Sequence, residues 1–412
     1  MLKAGSLLYS IFIALIISAI ASSFILINYY QNLRIAQSEG NIQAISRIES
    51  AMNLLKVASV HEVSNETIKL FEDDIFPTSI QLHPWGAYFL ATAKTSFRQS
   101  NFQQSTLQGY RNEAPFAIYL AENNMQLSIS GDTKLVGTAF LPLKGVKRAY
   151  IEGRTYTGTK LIYGEEKRSN KELPKLNRDL LNYLKQNLMD GIPNGVDEVV
   201  TYSGSQVSKV QSFQDSTFCI YSIDPIHLLL DSLKGRIVVK SEVSIYIDNQ
   251  SYIEDVILIA PKIVIQAGFI GTVHLIASDS IVVQPLSQLK YPSSILLSSS
   301  HEESAIVLGE GSSIEGEVIL EGDENNLNNM AIIEISENVE IIGNVFCFDK
   351  VELKGNVKGS VTCRKFLLRT KTSIYENFIL NGSINNFELP NKYLGVQWDN
   401  TVRIKETIKW VN

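Results

Sequence analysis

The apolar positions divide the chain into three regimes. From Leu7 to Ile27 almost every residue is apolar or small, and no charged residue lies between Lys3 and Arg34. At ~1.5 Å per residue those 21 positions reach ~31 Å, enough to cross a bilayer core of ~30 Å. From 31 to 60 the pattern turns amphipathic. Ile45, Ile48, Met52 and Leu55 follow three-four-three spacing, which predicts a helical stalk with a seam for a partner helix or for the domain beyond it. From 233 to 388 apolar and polar residues alternate in short runs, the period of strands with one buried face.

Within this third regime one phrase, Gly-x-Val/Ile, keeps returning. It begins at Gly235, Gly271, Gly316, Gly343, Gly355, Gly359 and Gly382, with Val273, Val318, Val345 and Val361 among its partners. Of the 11 glycines between 235 and 386, eight have Val or Ile two places on, against one of the 14 elsewhere, so the phrase is a repeat and not a compositional accident. The intervals point the same way. Val256, Leu258 and Ala260 recur as Val273, Leu275 and Ala277, 17 positions later, and Gly343, Val345 and Cys347 recur as Gly359, Val361 and Cys363, 16 later. A chain that returns to matching residues after one circuit is coiling into stacked rungs, with glycine at the bends and Val piled on Val inside. Each buried Val, Ile or Leu contributes on the order of 1.5 to 3 kcal/mol, and no single rung buries its face alone. The fold class expected is mainly β: a right-handed parallel β-helix, or solenoid, behind an N-terminal transmembrane helix and helical stalk.

The remaining segments are placed around that stack. Residues 1–30 form the anchor and 31–60 the stalk. Residues 61–163 read as β-rich, with strands at Trp85 to Leu90, Phe116 to Leu120 and Met125 to Ser130. Leu135 to Phe140 echoes the later repeat and is expected to be a first rung, with Gly145 to Gly153 as its next face. Residues 164–232 hold an inserted helix, Lys171 to Leu188, bounded by Gly191 and Pro193 and expected to cap or pack on the first rung. The β-helix occupies 233–388, with a polar run at Asp323 to Asn329 projecting as a loop. Residues 389–412, with Trp398 and Trp410, are expected to cover the last rung against strand-edge pairing.

Composition narrows function by exclusion. With 37 basic and 43 acidic residues the net charge is −6, and no basic surface argues for nucleic acid. The 45% apolar and 19% charged content is that of a globular chain. His61, His83, His227, His274 and His301 share no metal-ligand spacing, and there is no Gly-x-Ser-x-Gly, Walker or dinucleotide pattern, so no catalytic, cofactor or metal residue is assigned. Asp248, Asp255 and Asp279 are the acids a glycan-cleaving β-helix would use, but turns also recruit aspartate for its local hydrogen bonds. Cys347 and Cys363 are expected to stack one strand spacing apart, either bridged or as small inward hydrophobes, with Cys219 left over.

Two family resemblances rest on particular residues. Val351-Glu-Leu-Lys354 followed by Gly355-Asn-Val-Lys-Gly-Ser-Val-Thr-Cys363 resembles the bactofilins, a resemblance that implies a β-helix and polymer formation. A long helix, apolar in its first half and amphipathic in its second, is similar to the N-terminus of type IV pilin-like proteins. In that family a leader ending in Gly is removed, which Lys3-Ala4-Gly5 before Ser6 would allow; Ser10 stands where most pilins carry Glu. Ala19-Ile20-Ala21 also offers a signal-peptide cleavage site, but the apolar run continues past it to Ile27 and Tyr29-Tyr30 suit a membrane interface, which favours an uncleaved anchor. Lys3 and the terminal amine keep the N-terminus cytoplasmic and send the bulk to the periplasm or cell exterior. The function expected is a membrane-anchored, extracytoplasmic structural or interaction protein in a pilus-like or cell-surface assembly. Its partners would be the membrane through residues 7–27, proteins through the stalk or the β-face, or a polysaccharide. The reading from another class is a carbohydrate-active β-helix enzyme acting on a surface polysaccharide.

Overall fold

One helix, α1, runs without a break from Lys3 to Val57, so anchor and stalk are a single element of 55 residues. The computed structural model describes residues 3–58, 66–70, 77–111, 116–299, 303–322, 330–398 and 403–411. His61, His301 and the expected loop at 323–329 lie outside these residues. Among the described residues α1 is the one helix long and apolar enough to cross a membrane, and its apolar stretch covers nothing in the protein: Leu7, Phe12, Ile17 and Phe24 are all more than half exposed.

The last turns of α1 behave differently because they lie on a sheet. Strands β1 (Glu66–Ile68), β2 (Thr78–Trp85), β3 (Tyr88–Phe97) and β4 (Ser100–Arg111) pair antiparallel in that order. The seam residues Ile48, Met52 and Leu55, with Ala51, bury themselves against Ile80, Leu82, Phe89, Ala91, Ala93 and Tyr110. The predicted seam is wrong at one position. Ile45 is 49% exposed and Ala44 takes the buried place, since only a small side chain fits as the helix closes on the sheet. The expected strand from Trp85 to Leu90 is instead a hairpin: Gly86 adopts φ +61° and the chain reverses there, with Trp85 opposite Tyr88.

Beyond β4 lies a large array of parallel strands in three ladders. The first joins Glu198–Thr201, Phe218–Ser222 and Ile237–Ser241 to successive longer strands ending in Glu340–Leu353 and Asn356–Arg369. The second starts from Ser208–Gln211 and Ser232–Gly235. The third starts from Ile226–Leu228, Ser244–Ile247 and Lys262–Ile265. Several long strands serve two ladders, bending at register shifts such as Glu254/Val256 and Leu289/Ser293. Val256 lies opposite Val273 and Val345 opposite Val361, at the intervals read from the sequence.

Two expectations about placement are overturned, and a third is narrowed. Leu135 to Phe140 joins the ladders, but at the far end: Ile118 lies beside Val361, Leu135 beside Ile384 and Ser128 beside Phe378. Stacking requires matching inward residues, not adjacency in sequence, so an early segment can close a late edge. The helix α2 is shorter than predicted, Arg178–Asn187, because Asn177 caps it through the Asp179 N–H and Pro174 disfavours helical backbone before it. Of the two expected placements, capping and packing, it packs along the outer side of the first ladder, over the strand Gln288–Ser298. Finally, Leu394–Gly395 and Lys405–Trp410 do not cover the last rung but pair with β4. The chain therefore leaves the antiparallel sheet after Arg111 and returns beside that same residue at Leu394, with the parallel array inserted between.

Candidate functional site

The repeat residues occupy more than one position in the stack. Gly316, Gly343 and Gly359 pile on one another where strands turn from the second ladder into the first. A Cβ on Gly359 would strike the carbonyl oxygen of Gly343, and one on Gly343 that of Gly316, while φ of 154° and 148° is closed to L side chains in any case. Val318, Val345 and Val361 follow as one inward column. Gly271 and Val273 fall out of this register. His274 pairs with Ser294 and Ser294 with Glu317, so Leu275, not Val273, shares the column of Val318. Gly235 pairs with Gln211 in the second ladder, and Gly382 precedes the Ser383–Asn356 pair there. The bulges that shift these registers have no signature in the phrase itself.

The residue between each stacked Gly and Val points outward, and there the sequence reading missed a feature. Down one outer column run His274, Ser294, Glu317, Asn344 and Ser360, all polar and all buried. The β2–β3 hairpin and the returning chain cover them. Ala87 N–H donates to Ser294 Oγ (3.3 Å), Trp85 Nε1 to the Asp255 carbonyl (3.0 Å), and Lys409 pairs with the Asp255 carboxylate at 2.6 Å. His274 Nδ1 lies 3.0 Å from Ser294 Oγ, and burial pushes its pKa down to about 3, so the ring is neutral. Glu317 Oε1 accepts from the Tyr393 hydroxyl (2.8 Å) and from Asn344 Nδ2 (2.9 Å), whose Oδ1 accepts from Ser360 (2.7 Å). Burial raises the Glu317 pKa to about 7 against the pull of these hydrogen bonds. Among the described residues His274 Nε2 and Glu317 Oε2 have no hydrogen-bond partner. The signal that could have found this column is its alternation: polar residues flanked by Val and Ile in a wall whose other face is the core.

Next to the column, α2, the hairpin and the first ladder enclose a cleft of about 300 Å³. Its lining includes Val238 and Ile257 of the outer face, Leu90 of β3, Trp85 and Tyr183. Arg236 and His83 are its charged and titratable members. Arg236 donates from Nε to Thr217 Oγ1 (2.9 Å) and from Nη1 to the Asp215 carbonyl (2.8 Å). Burial, then the Arg236 charge, lowers the His83 pKa.

The acids weighed for glycan cleavage do not converge. Asp255 is committed to Lys409, and Asp248 closes a local turn by accepting from the Gln250 N–H (3.1 Å). Among the described residues no three potential metal ligands cluster. Cys347 and Cys363 are neighbours on the inward face, as free buried thiols; burial pushes the Cys347 pKa up to about 12 and that of Cys363 well above its usual value. Cys219 is likewise buried and free, and lies on the outer column.

No family model matches the chain, and no curated protein matches it, so the bactofilin resemblance stands on residues 351–363 alone. Among solved structures, the crystal structure of the competence-associated pilin ComZ from Thermus thermophilus is similar at 10% identity. That match covers 84% of this chain and 86% of that one at a TM-score of 0.23, too weak a likeness to carry an argument.

Proposed function

We propose that this chain is a membrane-anchored subunit of a pilus-like assembly that carries a right-handed parallel β-helix outside the cytoplasm. One observation supports the reading above others: α1 seats its final turns on an antiparallel sheet and leaves its preceding apolar turns uncovered over the full width of a bilayer. A run of exposed Leu, Ile and Phe of that length requires lipid or the helices of neighbouring copies to cover it. The β-helix supplies a rigid display surface, because each strand is held by its neighbours on both sides, and its insertion between β4 and Leu394 fixes it to the sheet at both chain ends. We assign two units, the helix with its sheet and the inserted β-helix, in place of a linear series of segments. Mass spectrometry of the N-terminus of protein from intact cells tests the reading. Ser6 as the first residue supports a pilin-like leader and Met1 a plain anchor, while Ser22 removes the assembly role. Protease added to intact spheroplasts is expected to degrade the β-helix; full protection would place the bulk in the cytoplasm and overturn the proposal.

A further inference from the structure

We propose that the cleft between α2, the β2–β3 hairpin and the first ladder binds a carboxylated sugar, a hexuronic acid of a surface polysaccharide. Three features of the cleft select this chemistry. First, Arg236 is held in place by Thr217 and the Asp215 carbonyl through Nε and Nη1, which leaves Nη2 without a hydrogen-bond partner among the described residues. Two acids, Asp197 and Asp215, act on this charge through space, but neither forms an ion pair with it, and Asp197 is turned to the Thr217 N–H at 3.1 Å. A guanidinium fixed in this way at the cleft is suited to a carboxylate, which its free Nη2 can meet with a charge-assisted hydrogen bond. Second, the lining includes the half-buried Tyr183 and the buried Val238, Ile257 and Trp85, apolar and aromatic surface that suits the C–H face of a pyranose and would be wasted on a bare inorganic anion. Third, Gln186 and Asn194 place exposed amides at the rim, where ring hydroxyls would emerge. A volume of about 300 Å³ is at the lower end for small-molecule sites and limits the occupant to one or two sugar units. The site is independent of the assembly role: it would let a displayed subunit hold the polymer coating its own or a neighbouring cell.

The test is saturation-transfer NMR on the full chain in detergent micelles, with sodium D-glucuronate, D-glucose and inorganic phosphate as probes. Glucuronate is expected to receive saturation and to bind at least about tenfold more tightly than glucose or phosphate. Arg236→Gln is expected to weaken glucuronate by about the same factor. Asn194→Trp, on an exposed loop at the mouth, should do so by obstruction, and it decides the matter if the arginine variant fails to fold. Equal affinity for glucose, equal affinity for phosphate, no transfer to glucuronate, or glucuronate binding unchanged in both folded variants would each overturn the proposal.

Discussion

At Gly359 the backbone comes so near the Gly343 carbonyl that a methyl group cannot be placed, and its φ of 154° adds a second barrier. Gly359→Ala is therefore expected to lower stability by about 2–4 kcal/mol, seen as a reduced denaturant midpoint at unchanged slope. Glu317 makes a prediction of another kind. Its carboxyl titrates near 7 in the folded chain against an ordinary 4.5. Between those values the unfolded chain has already released its proton while the folded one retains it. The stabilising contribution is thus complete below pH 4.5, shrinks as pH rises through the window, and is gone above about 7, a loss of at most about 3 kcal/mol. Glu317→Gln cannot ionise, so melting curves should show the variant gaining on the parent protein as pH rises from 5 to 8; parallel curves would mean that the carboxyl does not titrate there. The repeat was legible because glycine is the residue such a corner demands, whereas the outer polar column was not, since its residues are ordinary until another element covers them.

On the scale of elements, α1 illustrates how one periodicity serves two solvents. Its seam was readable as 3.6-residue spacing, but the spacing could not say whether a helix or a sheet would cover it. Leu55 is fully buried between β2, β3 and β4, and Leu55→Ala is expected to cost about 2–5 kcal/mol, while the exposed Ile45→Ala should stay within about 0.5 kcal/mol. Hydrogen exchange locates the loss: amides of β2 and β3 should exchange faster in the Leu55 variant while the ladder strands keep their protection. Lys405 adds a second clasp to this junction. It is buried, its Nζ donates to the Ala58 carbonyl just past the end of α1, and it lies 5.6 Å from the Phe89 ring centre and 5.5 Å from that of Tyr110. Nothing near residue 405 in the sequence marks it as a partner of residue 58, because the strand bearing it reaches β4 only through folding.

For the whole molecule, the exposed turns of α1 are expected to be dispensable to the folded part. Residues 5–39 of α1 are exposed throughout, so a fragment beginning at residue 31 is expected to be soluble without detergent and to melt within about 2 °C of the full chain in micelles, as followed by circular dichroism. A fragment that aggregates or melts much lower would show that the exposed helix supports the body in a way its burial does not reveal. The inserted arrangement also brings segments far apart in sequence together in space: Leu394 pairs with Arg111, and Lys405 with Tyr110.

The sequence by itself determined the membrane-length helix, the amphipathic seam and the stacking interval of the parallel strands. Each depends on local periodicity or on one residue type with no substitute, and neither needs knowledge of distant segments. Only the tertiary structure decided that residues 118–168 close the far edge of the stack, that the C-terminal strands belong to the N-terminal sheet, and that polar side chains line a covered wall. Those outcomes are contacts across hundreds of positions, selected by which apolar edges match in shape, and a linear pattern holds no record of that choice.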